Sequence, residues 1–334
     1  MAKYIIITDL EPDDWMALLL TATLIPAKHV LFVGTVLLDS GVRKTLAERI
    51  LQELNYSVPV IQGSGGNPED YEDIGSSRAA REYTHTVESP KHTNPIKSDD
   101  LKNAIRSALN QYDNLEFVFL APPTDLVAVL QEDPSLKKKI KHIHVMGGWV
   151  SIAPDVHRTT YNWNMDPVAS AALVQMNDIP MTLFSSHLIK AAFQGGSINR
   201  ANYPQLIDKI DTLIPTVPAL QKQRLASTKW NQHLIQRIPV LANIIGPYVD
   251  HQFTPADPIV IISLVYPELI TEKRPVTLKI ILDDKDPNRG FRISVDAVDD
   301  ASSKISVVEK MDLSKFIEGF NRMLDRLSGL HSNL

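Results

Sequence analysis

The 334-residue chain contains no cysteine. That absence excludes disulfides, thiolate nucleophiles and cysteine-ligated zinc, and it leaves the redox compartment open. No apolar run approaches the ~18 residues that a membrane helix requires. A basic excess is lacking too, since 34 Lys and Arg stand against 39 Asp and Glu, a net charge of −5. Without a positive field nothing general holds a phosphate backbone, and nucleic acid is not an expected partner. There is no internal repeat, no low-complexity tract and no linker that would cut the chain in two. No glycine-rich phosphate loop of the Walker kind occurs, and the one glycine cluster, GSGG at 63–66, lies in a polar stretch. The opening MAKYIIITD has too short an apolar run for a signal peptide. The expectation is a cytoplasmic protein that meets no membrane.

What the chain does have is apolar residues, 44% of the total, enough to bury a large core. Short apolar runs alternate with helical patterns. YIIIT (4–8) leads to DDWMALLLTATL, VLFVGTV (30–36) to GVRKTLAERILQEL, and LEFVFLA (115–121) to TDLVAVLQ. IKHIHVMGG (140–148) precedes DPVASAALVQM, and IPMTLFSS (179–186) follows. Runs rich in Val, Ile and Phe without polar alternation suit strands covered on both faces. The alternation predicts an α/β fold: one open, mostly parallel, Rossmann-like sheet flanked by helices, a single domain over 1–334. Ligands of such sheets bind at the carboxyl ends of the strands. Three regions break the rhythm. Residues 63–98 read as a long polar loop, 216–246 as a helical stretch carrying Trp230 and His233, and the tail returns to strands at 276–282 and 291–296 before a closing helix near 312–328. Lys137 to Lys139 read as a solvated helix face rather than a phosphate site.

Residues 5–14, IIITDLEPDD, place Asp9, Glu11, Asp13 and Asp14 directly after a buried strand. Like charges this close repel, most strongly where water is scarce. One reading is an ordinary helix entrance, in which Asp13 and Asp14 cap free N–H groups and complement the helix dipole. That reading leaves Asp9 and Glu11 unexplained. The other is a hard cation, because Ca²⁺ collects several carboxylate and carbonyl oxygens. The spacing does not fit an EF-hand loop.

The D-x-x-x-D-D pattern of Asp9, Asp13 and Asp14 after an apolar strand resembles the amino-terminal signature of the inosine–uridine-type nucleoside hydrolases. Further stretches follow in that family's order. VGTVLLD (33–39) resembles its second strand, ending here at Asp39, and LAPPTDLVAVL (120–130) its G-P-x-T-N-L turn. IKHIHVMGG (140–148) matches a strand ending in M-G-G, and TYNWNMDPVAS (160–170) resembles F-N-x-x-x-D-P-E-A. ADPIVI (256–261) stands where H-D-P-L-A-V is usual, and NRGFRISVD (288–296) resembles T-R-G-x-x-x-V-D. The resemblance covers essentially the whole chain.

The resemblance implies the nucleoside hydrolase fold and a Ca²⁺-dependent N-ribosyl hydrolase whose substrate is a small-molecule nucleoside or related N-riboside. It implies Ca²⁺ bound by Asp9, Asp14, Asp257 and the Thr124 carbonyl, with Asp13 as the general base toward C1′. Asn162 and Asp39 would hold ribose hydroxyls, and Met146 and Trp149 would line the substrate site. Trp163 is a further ring on which a base could stack, against core packing as the plain alternative; for Trp230 neither reading is preferred. A homo-oligomer, dimer or tetramer, is expected.

Departures from the family pattern also matter. Ile7 stands where a further aspartate is usual, Thr160 where a glutamate commonly precedes the ribose asparagine, and the 63–98 region lacks a His-Gly pair. Ala256 occupies the position of a histidine able to protonate the leaving base. His251 and His233 are the candidate substitute donors, although an exposed or structural histidine is the commoner occupant of such positions. Two other function classes remain open: a non-catalytic nucleoside- or ribose-binding protein on the same scaffold, and a metal-dependent hydrolase acting on a phosphoester.

Overall fold

The computed structural model describes residues 2–37, 40–64, 98–148, 150–151, 161–193, 198–213, 254–286 and 290–331. Its strands are β1 (Lys3–Thr8), β2 (Val30–Thr35), β3 (Val60–Gln62), β4 (Leu115–Phe119), β5 (Ile140–Met146), β6 (Val150–Ser151), β7 (Met181–Phe184), β8 (Ile270–Asp286), β9 (Gly290–Asp299) and β10 (Ile305–Met311). Its α-helices are α1 (Pro12–Leu24), α2 (Ser40–Glu53), α3 (Asp100–Gln111), α4 (Thr124–Glu132), α5 (Tyr161–Met165), α6 (Pro167–Gln175), α7 (Ser186–Ala192), α8 (Pro204–Leu213), α9 (Ala256–Val265) and α10 (Leu313–His331).

Among the described residues the strands join in the order β3-β2-β1-β4-β5-β7-β10-β8-β9-β6. Pairing from β3 through β10 is parallel. β8 then runs antiparallel to β10, and β9 antiparallel to β8. The sheet is therefore open, mixed and mostly parallel, as the strand–helix alternation predicts. Side chains along each parallel strand alternate between two apolar layers. Ile6, Val33, Val118 and Met146 pack toward α1, α9 and α10, while Ile5, Ile7, Phe32, Phe117 and Val145 pack toward α3, α4 and α6. Covered on both faces, these strands have no reason to carry polar residues, which is why their sequence shows no alternation.

The helices differ according to how much of each is covered. α3 buries Leu101, Ile105, Ala108 and Leu109, the one-sided spacing of a helix lying on a sheet. α9 is buried from Ala256 through Ser263, a helix enclosed all round. It packs beside α1, which sets the first turns of the two helices side by side at the strand ends. The closing helix sits as expected. The strand before it, β10, was not anticipated. It pairs Ile305 with Met181 of β7 and so joins the tail to the parallel sheet. Lys137 to Lys139 end a 3₁₀ turn, Pro134–Lys139, where Lys137 pairs with Asp178 and Lys139 with Asp113. The 216–246 stretch and most of 63–98 lie outside the described residues.

A polar cluster centred on Glu116 interrupts the apolar run of β4 and β5. Glu116 of β4 accepts hydrogen bonds from His144 Nε2 (3.1 Å) and Lys141 Nζ (2.7 Å), and His142 Nε2 contacts Thr182 Oγ1 at 2.9 Å. Burial works against the Glu116 charge, but these partners outweigh it and hold the carboxyl down at about 2. Burial, then the neighbouring His144, pushes His142 down from 6.5 to about 4. The folded protein thus binds fewer protons here than the unfolded chain. The resulting stability is present above pH 6.5 and lost as pH falls toward 4 for His142, with Glu116 following below 4.5. The melting temperature is expected to fall across pH 6.5 to 4 in buffered thermal scans, and His142→Gln, which cannot take up a proton, should flatten that fall.

Candidate active site and metal centre

β1 ends at Thr8, and the chain must turn sharply before α1 begins at Pro12. Leu10 makes the turn at φ +56, a left-handed conformation that costs a leucine free energy. It is held there by burial and by two hydrogen bonds. Its side chain is 2% exposed, its N–H donates to Thr8 Oγ1 at 3.0 Å, and its carbonyl accepts from Trp15 Nε1 at 2.6 Å. Pro12 suits the first helical position, where an N–H would have no intrahelical partner. Both oxygens of Asp14 are oriented, Oδ1 by the Thr8 hydroxyl (2.5 Å) and Oδ2 by the Glu11 N–H (3.1 Å).

Asp13 and Asp14 occupy the first turn of α1, and Asp257 the first turn of α9. With the two helices adjacent, one carboxylate oxygen from each of Asp13, Asp14 and Asp257 lies within 4.8 Å of the others. Asp9 is not in that trio, but it reaches the cluster by a side-chain contact with Asp14. The carboxylates complement two helix N-termini, and they also converge.

Asp9, Asp14 and Asp257 are buried, whereas Asp13 keeps part of its surface. Burial first, then mutual repulsion, lifts the carboxyls of Asp14 and Asp257 well above the ordinary range and Asp13 to about 6. Asp9 Oδ2 and Asp257 Oδ1 are buried without a hydrogen-bond partner. Buried polar atoms are normally satisfied, and an all-oxygen set with unsatisfied lone pairs has the chemistry of a hard-cation site. The donor set fits a hard divalent cation.

One positive group already lies beside the knot. Arg43 of α2, 4% exposed, donates from Nη1 and Nη2 to Glu11 Oε1, each at 3.3 Å. Burial and the Asp9 charge push the Glu11 carboxyl up, the Arg43 guanidinium pulls it back, and the balance lies at about 7. Arg43 was missed in the sequence because VRKTLAER reads as an ordinary helix with cations on its solvent side.

A second group of motif residues lies at the ends of β4 and β5 and on α5. The Asn162 amide nitrogen donates to the carbonyls of Leu120 (2.8 Å) and Met146 (3.2 Å). Those bonds fix the side chain across two strand ends and leave its oxygen as the group that can meet a hydroxyl. Thr124 opens α4, and its hydroxyl donates to Asp166 Oδ2 at 2.7 Å, while Asp166 Oδ1 caps α6. Met146 closes β5 and is 5% exposed. Ile7 lies inside the sheet at 1% exposure, so the missing aspartate is filled by core. Ala256 is the first residue of α9, preceded by Pro255. Neither Ile7 nor Ala256 has a titratable proton to give. Asp39, Trp149, Thr160, His233 and His251 lie outside the described residues.

Trp163 is 3% exposed and packs on the Gly147–Gly148 backbone. It is a core ring rather than a stacking platform. Gly148 has φ +78, and a Cβ there would meet Trp163 Cη2 at 2.8 Å. Gly148→Ala is expected to lose ~2–4 kcal/mol, adding the left-handed cost to that of overpacking. Urea unfolding measures it directly.

Residues 4–318 match the model of the family described as inosine-uridine preferring nucleoside hydrolase. Three solved structures share the architecture over 97% of this chain. They are a purine-preferring ribonucleoside hydrolase from Gardnerella vaginalis (TM-score 0.66, 18% identity, 98% of that chain), a plant nucleoside hydrolase (0.64, 14%, 98%), and an inosine-uridine preferring nucleoside hydrolase from Bacillus anthracis (0.62, 18%, 99%). The chain belongs to the inosine-uridine preferring nucleoside hydrolase family, whose members are hydrolases acting on N-glycosyl bonds.

Proposed function

We propose that the chain is a Ca²⁺-dependent N-ribosyl hydrolase that cleaves a ribonucleoside or related N-riboside into ribose and free base. The observation that carries this reading is the convergence of Asp13, Asp14 and Asp257 at two helix N-termini, with buried carboxylate oxygens beside them lacking a partner. Asp9, Asp14, Asp257 and the Thr124 carbonyl are the proposed ligands. When bound, Ca²⁺ supplies a hard positive charge that cancels the carboxylates' repulsion and attracts ribose hydroxyl oxygens.

Asp13 is the proposed base, since it alone of the four aspartates keeps accessible surface. It takes a proton from the water that attacks C1′, the new C–O bond forms, and the C1′–N bond electrons leave with the base. Positive charge develops on the sugar as that bond breaks, and the surrounding carboxylates stabilise it. Asn162 positions the sugar through its side-chain oxygen, and Asp39, Met146 and Trp149 complete the proposed substrate site.

A second assignment has a specific observation behind it. Asp13 groups with Asp14 and Asp257 within ligand distance, whereas Asp9 stands outside that group with a partnerless oxygen. In that reading Asp13 is the ligand and Asp9 the base. Ribose release from a nucleoside panel, measured on chelator-treated protein before and after Ca²⁺ is restored, tests the function itself. A binding-only protein would retain nucleoside and release no ribose.

A further inference from the structure

The Glu11–Arg43 pair has no part in the proposed chemistry, yet it is buried against the carboxylates. Glu11 is 7% exposed and Arg43 4%. Both terminal nitrogens of the guanidinium share a single Glu11 oxygen. A guanidinium stays charged at any working pH and is shaped to bind a carboxylate. It binds the side chain of Glu11, whose own N–H lies 3.4 Å from Asp9 Oδ1, and its charge favours the ionised form of Asp9. Asp9 is not satisfied by the protein around it. Among the described residues Oδ1 accepts a long contact of 3.4 Å from the Glu11 N–H, the carboxyl also meets that of Asp14, and Oδ2 has no hydrogen-bond partner. The chain thus holds a permanent cation within electrostatic reach of an unsatisfied carboxylate, and a second carboxylate engages that cation.

We propose that Glu11 and Arg43 are positioning residues that set the cation affinity of the site: Glu11 holds the Arg43 guanidinium off Asp9 and so leaves the Asp9 carboxylate to a divalent ion. The inference rests on the cation site proposed above and adds its control. Without the Glu11 charge, Arg43 turns to Asp9 and competes with the metal as an intramolecular cation. Without Arg43 that competitor is gone, and Glu11 no longer acts through it.

A double-mutant cycle read by Ca²⁺ titration calorimetry on the intact chain tests this, with circular dichroism to confirm folding. Glu11→Gln should weaken Ca²⁺ binding about tenfold, within the range for directly coupled neighbours. Arg43→Met should bind as tightly as the parent or more so. In the Arg43→Met background, Glu11→Gln should change affinity less than twofold, because the competitor is gone. Removing one partner of a buried pair can unfold a protein, whereas removing both is often tolerated. Glu11→Asp, which keeps the charge but shortens its reach, therefore serves as a milder arm and should weaken binding in the same direction.

A purely structural pair would lower the melting temperature in each single variant without this sign pattern in affinity. An affinity loss on Glu11→Gln that persists without Arg43 overturns the proposal and makes Glu11 a ligand, and no loss in either Glu11 variant overturns it as well. Should the parent protein bind no Ca²⁺, both the site and its control fall. Should the cycle hold while no riboside is cleaved, the control stands and the hydrolase reading falls.

Discussion

Asp13→Asn is expected to lower turnover on an N-riboside by about 10²–10⁴-fold, the usual contribution of a positioned base, at saturating Ca²⁺. The substitution keeps the size of the side chain and its place in the first turn of α1, so folding and the α1–α9 contact should persist. Calcium affinity should change little, since all four proposed ligands remain. Asp14→Asn should weaken metal binding instead, because that carboxylate is aimed into the cluster by Thr8 and the Glu11 N–H. Steady-state kinetics paired with Ca²⁺ titration separates the two effects. If Asp13→Asn loses metal while Asp9→Asn keeps metal and loses turnover, the roles of Asp9 and Asp13 are exchanged. Near-normal turnover in both variants would remove the base from this cluster altogether.

The second large effect concerns the leaving group. Ala256 opens α9 beside Asp257 and can donate no proton. A positioned acid contributes about 10²–10⁴-fold when the leaving group is a poor one. A site without that donor should favour ribosides whose departure is already easy, such as an activated aryl riboside or a cationic N-riboside that leaves as a neutral base. Turnover should fall steeply as leaving-group pKa rises, and inosine and uridine should lag an activated riboside by about 10²-fold or more. Ala256→His should speed the poor substrates more than the activated one. If inosine keeps pace with the activated riboside, another group donates the proton, and His251→Ala and His233→Ala show which histidine supplies it.

The sequence discloses some parts of this molecule and hides others for physical reasons. β1, β2, β4, β5 and β7 are legible because burial on both faces leaves them continuously apolar. β10 is not: ISVVEKM has a short apolar centre followed by Glu309 and Lys310, and its place depends on pairing with β7, far away in the chain. Four acids crowded into six residues are legible as a charge problem. Asp257 is legible only through family resemblance, because the packing of α9 on α1 brings it in from the far end of the chain. Arg43 meets Glu11 across 32 residues, and nothing local to either marks the pair. The hold of Asn162 on the Leu120 and Met146 carbonyls is likewise a product of three elements meeting. Motif residues can be read from the chain, whereas the groups that orient them are set by tertiary packing.

The most direct measurement is hydrolysis of an activated riboside in ¹⁸O-labelled water, with the protein first stripped by chelator and then restored with Ca²⁺. The expected result is ribose carrying one ¹⁸O at C1′, an unlabelled leaving group, no release from the stripped protein and full release on adding Ca²⁺. Release that proceeds equally without the cation, or no ribose release from the Ca²⁺-loaded protein, would contradict the account.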